Sequence, residues 1–352
     1  MPARALRTVR EPDAAAPPAP AIAVLAEAKG ANIRTIDGRD YTDFDNGSGA
    51  VLLGHADPDI EAAVAAERRA AARLGGPLAE RLIALLPSAE DVRFFPAAPD
   101  ALEAACQAAR RATGRTRILH CRQAPVEDDA NNLAAVVADP LAIAPPCRRE
   151  LAALRQFADR LGAVLIFDER RSALRVHDGG AQALYGVDAD LTVVGEALAN
   201  GRPLAALAGR LELMALVRGA PVAAAALAAG AAVLDKLGRE PVLANLGIRG
   251  AEVQASLARC IRAHDAQELV TVGGDPTAPT LAFADPKGRG LWLRELWARG
   301  VWSFGDLNIS YAHGDREIGR LLAACDGALE AVVAAAVPPP RAVPVLREVA
   351  RR

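Results

Sequence analysis

The chain has 352 residues, of which 52% are hydrophobic, and this size and composition are typical of a folded protein with one large core and a smaller one. The formal net charge is −2, so the chain has neither the basic field that binds nucleic acid nor a polybasic segment for a membrane surface. Composition and charge therefore predict that it binds neither nucleic acid nor membrane.

The cysteines and histidines give no sign of a disulfide framework or a metal centre. The five cysteines form no C-x-x-C pair, and the five histidines form no H-E-x-x-H. An odd number of cysteines without metal-ligand spacing predicts reduced thiols, no metal site and a cytoplasmic location. Residues 1–22 have no apolar core of the signal-peptide type, so we expect them to form a flexible tail.

The first predicted elements belong to an N-terminal segment, residues 23–60, which we expect to join a smaller domain. Residues 32–47 alternate polar and apolar side chains around Asp37-Gly38, which is a hairpin signal. From Pro58 onward the apolar spacing becomes helical, with the proline in the first turn.

Residues 61–235 predict a large domain in which strands and helices alternate. Amphipathic helices are predicted at 100–113 and 147–162. The predicted strands are 91–96, 117–121, 133–141, 163–169 and 190–195, followed by a second short strand before Gly209. Fully apolar strands that alternate with helices predict an α/β fold with a mostly parallel sheet covered by helices.

Residues 236–337 predict a smaller α+β domain that shares its sheet with the N-terminal segment. Its predicted strands are 269–272, 279–284 and 303–311, and its closing helix is 315–336. The prolines at 338–340 end that helix, and residues 338–352 are expected to be a tail.

Three residues near predicted strand ends are candidate site residues. Asp168 ends the strand 163–169, Glu196 follows the strand 190–195, and His120 lies near the end of the strand 117–121. Ligands of open parallel sheets bind at the carboxyl ends of the strands, so Asp168 and Glu196 are expected to face a pocket, and His120 is a further candidate acid or base. The alternative is that the two acids are hydrated loop residues.

Four stretches of the chain resemble class III aminotransferases of pyridoxal-phosphate fold type I, most closely the glutamate-1-semialdehyde 2,1-aminomutase branch. The N-terminal hairpin with "LLGHADP" and the segment "VRFFPAAPDALEAA" match the beginning of the family pattern. "LIFDERRSALRVHDGG" with "DLTVVGEALANGRPLAALAG" matches the cofactor-binding core, and "ISYAHGDREIGRLL" matches the entry to the last helix. The resemblance implies a fold type I large domain with a smaller α+β domain.

The resemblance also implies that elements of the family's site are replaced. The family lysine forms an imine with the cofactor, whereas the matching position here is Glu196, and a carboxylate cannot form an imine. The family's Ser-Gly-Thr phosphate loop is matched by Ala97, Ala98 and Pro99, and the proline lacks a backbone N–H. We therefore expect no cofactor, with pyridoxal phosphate as the alternative.

Asp168 matches the family aspartate that pairs with the pyridinium nitrogen, and it is the one cofactor-binding residue that the resemblance retains. Arg170 stands where the family has a small apolar residue against the cofactor ring. A buried guanidinium needs carboxylate partners. We therefore expect Arg170 to fill the ring site and to pair with Asp168, Glu196 or both; the alternative is that Arg170 points to solvent.

These residues leave three functional interpretations. The first is a degenerate class III aminotransferase-like protein, unable to perform lysine-dependent transamination, that acts as a non-catalytic or partner subunit. The alternative is a cofactor-independent enzyme that reuses the pocket for a small molecule in a specialised biosynthetic pathway, with Asp168, Glu196 or His120 as acid or base. A third is an aminotransferase or aminomutase that holds pyridoxal or pyridoxamine phosphate non-covalently.

The resemblance places the family's active site at a dimer interface. The matching stretches 47–58 and 221–237 are apolar, and exposing them to water would be unfavourable. We therefore expect a homodimer, or a heterodimer with a related aminotransferase.

Overall fold

The structure is a computed structural model and describes residues 25–67, 75–121, 132–142 and 147–336. The predicted tails, residues 1–22 and 338–352, lie outside these ranges. So do the prolines at 338–340, which were predicted to end the last helix. The domain boundaries stay a prediction.

The described residues form strands and helices in alternation. The strands are β1 (Leu25–Lys29), β2 (Asn32–Thr35), β3 (Asp40–Asp43), β4 (Asp91–Phe95), β5 (Arg117–Cys121), β6 (Leu133–Ala138), β7 (Val164–Glu169), β8 (Leu191–Val194), β9 (Ala205–Gly209), β10 (Val270–Gly273), β11 (Thr280–Phe283) and β12 (Val301–Trp302). The helices are α1 (Pro58–Glu67), α2 (Gly75–Leu85), α3 (Ala98–Thr113), α4 (Arg148–Leu161), α5 (Gly180–Tyr185), α6 (Leu211–Met214), α7 (Ala224–Arg239), α8 (Val242–Ala263), α9 (Pro286–Ala298) and α10 (Asp315–Ala336), and a 3₁₀ turn spans Glu196–Ala199.

The largest sheet has six strands in the order β4-β9-β8-β7-β6-β5. Strands β5, β6, β7 and β8 pair in parallel, each with the next. Strand β9 runs antiparallel to both of its neighbours, β4 and β8. A parallel sheet needs a cover on both faces, and alternate side chains of β6 and β7 supply two apolar faces. Val137 and Ile166 pack in the cluster with α3, whereas Val136 and Leu165 pack in the cluster with α4. The predicted α/β class is confirmed.

A second, four-stranded sheet has the order β1-β2-β3-β12. The β2–β3 hairpin is antiparallel, as predicted, and β12 pairs with β3 in parallel. The N-terminal segment and the residues near 301 therefore share one sheet. Among the helices in the described ranges, none is both long and apolar enough to cross a bilayer.

The strand predicted at 303–311 is wrong. Its backbone N–H groups donate to carbonyls of different parts of the chain: Leu307 to Pro279, Asn308 to Phe44 and Ile309 to Thr277. Because successive residues pair with different partners, no ladder forms, although the segment is extended and largely buried. Local alternation indicated the extended backbone correctly but could not identify its partners.

The two apolar stretches used to predict a dimer are covered within the chain. Helix α7 packs against α1 and the 3₁₀ turn, and its Ala229 and Val233 are fully buried. In the other stretch, Leu52 and Leu53 lie in the same core cluster. Their apolar character therefore does not require a partner chain, and the dimer stays a prediction.

Candidate functional site

Three carboxylates meet at one edge of the six-stranded sheet. Asp139 follows β6, Asp168 lies near the end of β7, and Glu196 begins the turn after β8. These strands are adjacent and parallel, with Ala138 opposite Phe167 and Glu169 opposite Val194. Their carboxyl ends therefore bring the three acids together, which is where sheets of this kind bind ligands.

Asp168 is held by Arg170 in a two-pronged ion pair. The Arg170 Nε donates to Asp168 Oδ1 at 2.6 Å, and Nη2 donates to Oδ2 at 2.5 Å. The Asp168 side chain is 10% exposed and that of Arg170 is 39% exposed. The pKa of the Arg170 guanidinium is raised, first by this hydrogen bond, while partial desolvation opposes the shift. The predicted pairing of Arg170 with Asp168 is present in the structure.

Glu196 makes a different contact from the one expected. Its Oε1 accepts a hydrogen bond from the backbone N–H of Ala98, the first residue of α3, at 2.9 Å. The residue before the helix, Ala97, gives no side-chain cap, and Pro99 has no N–H to offer. Glu196 therefore caps α3 from a distant part of the chain and contacts the positive end of the helix dipole. Arg170 attracts it only at longer range.

Arg170 does not fill the pocket. A cavity of about 330 Å³ remains at this edge of the sheet. Its charged lining consists of Asp139, Asp168, Arg170, Arg171, Glu196 and Asp306. Because Arg170 is drawn to Asp168 two residues before it, the guanidinium lies along the wall. Arg170 is thus a partly exposed lining residue that leaves part of the cavity open, and its expected place in the ring site stays a prediction.

Asp139 was missed by sequence reasoning, although the same signal that selected Asp168 was available. It directly follows the buried strand β6, just as Asp168 ends β7. Burial raises the pKa of Asp139, and the positive charge of Arg171 opposes that shift. A carboxyl group whose pKa is raised inside a cavity is a candidate acid or base.

His120, the third predicted candidate, does not join the cavity. It lies on β5, the outermost strand of the sheet, where its side chain is exposed, and it is not part of the cavity lining. Within the described residues, β5 has no neighbouring strand on its outer side to form a pocket wall.

None of the lysines reaches this cavity. The chain contains only Lys29, Lys236 and Lys287, and none of them lines it. Lys29 ends β1, and Lys287 lies in the first turn of α9. The Lys236 ammonium is buried and paired with Asp57 at 2.7 Å. The cavity therefore has no primary amine of its own.

Glu169, the residue after Asp168, has a structural role. Glu169 is fully buried and accepts hydrogen bonds from the Ser172 hydroxyl at 2.8 Å and from the Ala181 N–H at 2.5 Å. Gly180 has φ +70°, and a Cβ there would lie 2.2 Å from the Glu169 carboxylate, so a glycine is required. Desolvation raises the pKa of Glu169 to about 6. This network fixes the chain as it leaves β7 and so positions Asp168 and Arg170.

Comparison with known proteins supports the family that the resemblance indicated. The family model described as "Aminotransferase class-III" matches residues 14–126. Glutamate-1-semialdehyde 2,1-aminomutase of Dichelobacter nodosus is 32% identical over 251 residues, covering 55% of this chain and 59% of that protein. The enzyme of that name from Nitratidesulfovibrio vulgaris (strain Hildenborough) is 28% identical and covers 85% of this chain and 90% of that protein.

Solved structures agree with this assignment. A structure titled "Transaminase with PLP bound" has a TM-score of 0.81 and 25% identity, covering 92% of this chain and 94% of that chain. The PLP internal aldimine form of the FumI protein from Sphingopyxis sp. MTA144 has a TM-score of 0.78 and 25% identity, covering 90% of each chain. The comparisons support the class III aminotransferase family and its glutamate-1-semialdehyde aminomutase branch, and the fold is that of type I aminotransferases.

These comparisons overturn the expectation that no cofactor is used. Two of the similar solved structures hold PLP: one is titled as a transaminase with PLP bound, and the FumI structure is a PLP internal aldimine form. They point to PLP, and not to the absence of a cofactor, as the group associated with this family. The expectation of no cofactor rested on a few single positions, Glu196 and Ala97–Pro99, and it is wrong.

The described residues nevertheless do not fit a PLP attached through an imine. An imine needs a primary amine, and the cavity has none. At the start of α3, the Ala98 N–H is already committed to Glu196 and Pro99 has no N–H. The N-terminus of α3 is therefore capped by the Glu196 carboxylate.

Proposed function

We propose that this chain is a degenerate class III aminotransferase-like protein that does not perform lysine-dependent transamination and that acts as a non-catalytic or partner subunit. The observation that carries the proposal is the hydrogen bond between Glu196 and the Ala98 N–H, at 2.9 Å. The resemblance matches Glu196 to the imine-forming lysine and Ala97–Pro99 to the phosphate loop. Both positions are thus used in one internal contact.

The proposal concerns the lysine chemistry and leaves PLP as the family's cofactor. Imine formation requires an amine beside the cofactor aldehyde, and Lys236 cannot supply it because its ammonium is held between Asp57 and Asp59 at 2.7 and 3.1 Å. Asp168, the residue matched to the pyridinium partner, is engaged by Arg170. Any PLP bound here would therefore be held without a covalent bond to the chain.

The partner role is supported by the resemblance, which places the family's site at a dimer interface. A chain that retains the fold while its own site cannot form the imine could still complete or stabilise the site of a competent copy. We include a homodimer or a heterodimer with a related aminotransferase in the proposal. A cytoplasmic location also belongs to it, supported by five unpaired cysteines.

A second candidate function is an enzyme that reuses the pocket for a different small molecule. The observation that favours it is the cavity of about 330 Å³ with its mixed carboxylate and guanidinium lining. Asp139, with a raised pKa, lies beside the ionised pair of Asp168 and Arg170 and could give or accept a proton. Paired charges of this kind also occur as structural ion pairs.

The test is a spectrum of the purified chain with added PLP, followed by borohydride reduction and mass analysis. We expect no reducible adduct attributable to the cavity. Lys29 and Lys287 lie outside the cavity and can react with free aldehyde, so Lys29→Arg and Lys287→Arg variants serve as controls. Gel filtration before the spectrum measures non-covalent PLP separately. Stoichiometric labelling of Lys236, or amino transfer by the unaltered chain, would contradict the proposal.

A second arm uses Glu196→Lys. This variant restores the amine but leaves Ala97, Ala98 and Pro99 in place and removes the cap of α3. We expect no measurable amino transfer from it. Amino transfer by this single variant would show that the helix end does not limit cofactor binding. Light scattering of the purified chain reports the partner role: a sharp monomer mass at micromolar concentration that persists in mixtures with a competent aminotransferase would contradict it.

A further inference from the structure

Three side chains with metal-ligand chemistry meet on the surface, away from the cavity. Cys260 and His264 lie four residues apart at the end of α8, so they share one face of that helix. Asp326 is provided by α10, which packs against α8. One ligand atom of each residue lies within 4.8 Å of the other two. The expected absence of a metal site rested on the missing C-x-x-C and H-E-x-x-H patterns, whereas this cluster joins residues 66 positions apart, Cys260 and Asp326.

The present contacts between the three side chains are hydrogen bonds. The Cys260 thiol donates to Asp326 Oδ1 at 3.1 Å, and His264 Nε2 lies 2.9 Å from the same oxygen. Burial and the neighbouring carboxylate raise the pKa of the Cys260 thiol to about 12. The hydrogen bonds from His264 and then Cys260 lower the pKa of Asp326. The cluster thus concentrates one thiol, one imidazole and one ionised carboxylate at a single point.

We propose that Cys260, His264 and Asp326 form a binding site for a borderline divalent transition-metal ion, with Zn²⁺ as the best match. Sulfur, imidazole and carboxylate are the three zinc ligands of proteins, and three protein ligands leave the fourth tetrahedral position to water or an outside ligand. Binding replaces the thiol proton: the sulfur–hydrogen bond breaks, a sulfur–metal bond forms, and the proton passes to solvent.

The geometry needs little adjustment to accept the ion. Zinc bonds of about 2.0–2.3 Å with tetrahedral angles place neighbouring ligand atoms about 3.3–3.6 Å apart. The observed separations from Asp326 Oδ1, 3.1 Å to the Cys260 sulfur and 2.9 Å to His264 Nε2, would have to widen by a few tenths of an ångström, and the ligand atoms of Cys260 and His264 lie within 4.8 Å of each other. The His264 and Asp326 side chains are 24% and 66% exposed, so an ion reaches the cluster from solvent. Because the ligands come from two helices, the ion would join α8 to α10.

The site also differs from an ordinary surface ion pair. His177 and Asp178 form such a pair, at 2.7 Å and with side chains 44% and 52% exposed, but no cysteine is part of it. This pair is a matched control for imidazole and carboxylate without sulfur. Cys147, which is partly exposed and unpaired, is the control for a thiol outside the cluster.

The experiment is a titration of the full, untagged chain with Co²⁺, after treatment with a chelator and under a phosphine reductant. We expect one equivalent of Co²⁺ to produce a thiolate-to-cobalt charge-transfer band, and Zn²⁺ to displace it. Cys260→Ser should abolish the band, and His264→Gln should weaken cobalt binding by about 100-fold, as expected when one of a few ligands is removed. Cys147→Ser and His177→Gln should leave the band unchanged. Far-ultraviolet circular dichroism of each metal-free variant verifies folding.

Two results would overturn the proposal. One is the absence of a charge-transfer band at one equivalent of cobalt, which would leave only a hydrogen-bonded surface triad. The other is a band that persists in both Cys260→Ser and His264→Gln, which would assign the metal to other side chains. If Cys260→Ser does not fold, the loss of affinity in His264→Gln decides the question alone, since a partly exposed imidazole at a helix end can be replaced without removing core packing.

Discussion

The contact between Glu196 and α3 gives a direct stability prediction. Replacing Glu196 with alanine removes the acceptor of the Ala98 N–H, and Ala98 is fully buried. Water cannot easily take over the hydrogen bond, so the N–H is left without a partner. We expect Glu196→Ala to destabilise the fold, and we expect Glu196→Gln, which keeps an amide oxygen, to destabilise it less.

The magnitude follows from the lost contact and from the charges around it. A buried N–H without an acceptor costs about 1–3 kcal/mol, and the loss of a helix cap costs about 0.5–2 kcal/mol; both ranges describe the same contact. Removing the negative charge relieves repulsion from the acids of the cavity lining but also removes the attraction of Arg170, so these charge effects partly cancel. The net expectation is a loss of about 1–2 kcal/mol for Glu196→Ala and about half of that for Glu196→Gln.

Urea unfolding followed by far-ultraviolet circular dichroism is the suitable assay. Tryptophan fluorescence would report on the wrong part of the chain, because the three tryptophans are Trp292, Trp297 and Trp302. Glu90→Ala is the matched control: Glu90 accepts from the Leu211 N–H at 2.7 Å at the start of α6, but Leu211 is 59% exposed. Water can replace that cap, so its loss should remain within about 0.5 kcal/mol.

A double variant tests whether Arg170 is involved. Glu196 and Arg170 form no ion pair within the described residues, so Glu196→Ala and Arg170→Ala should add within about 0.5 kcal/mol. A strong coupling between them would show that Arg170 does pair with Glu196 in solution. A Glu196→Ala variant as stable as Glu90→Ala would refute the cap.

Three other predictions rest on single contacts. Lys236→Met should destabilise the fold by about 3 kcal/mol by stranding the buried carboxylate of Asp57, and adding Asp57→Asn should recover part of the loss, as measured by urea midpoints. Arg170→Ala should cost less, about 1–2 kcal/mol in the same assay, because that guanidinium is 39% exposed and water can solvate Asp168. Burial lowers the pKa of His313 from 6.5 to about 4. Between these pH values the unfolded chain binds more protons than the folded chain, so the free energy of unfolding should fall as pH falls from 6.5 towards 4. His313→Gln should remove about 3 kcal/mol of this pH dependence, as measured by urea unfolding across the range.

Much of the fold could be predicted from the sequence because its signals are local. The strands of the large sheet are continuous apolar runs, and α4 ends where Gly162 adopts φ 58°, as its glycine indicated. The strand predicted at 303–311 failed because pairing is not local. Its residues are extended, but their hydrogen bonds go to carbonyls at Pro279, Phe44 and Thr277, and no pattern within the segment specifies those partners.

The site was predictable in position but not in contacts. The rule about strand ends located Asp168 and Glu196 and, applied consistently, would have located Asp139. His120, chosen as a candidate acid or base, lies on β5 at the end of the described sheet and outside the cavity lining, which the sequence does not show. The partner of Arg170 depends on the directions of the side chains at the end of β7. Only the structure shows that Arg170 pairs with Asp168, while Glu196 accepts a hydrogen bond from the first residue of α3.

One hydrogen bond joins two parts of the chain that are distant in the sequence, Glu196 and the start of α3. A helix start that reads Ala97, Ala98, Pro99 has no hydroxyl to cap it and one N–H fewer than usual. The buried N–H that remains at Ala98 needs an acceptor, and the carboxylate at position 196 supplies it with a charge that suits the helix dipole. A lysine at position 196 could not do this, because an ammonium only donates. Glu196 and the start of α3 therefore depend on each other, so Glu196→Lys should destabilise α3 by at least as much as Glu196→Ala. A Glu196→Lys protein as stable as the original chain would refute this dependence.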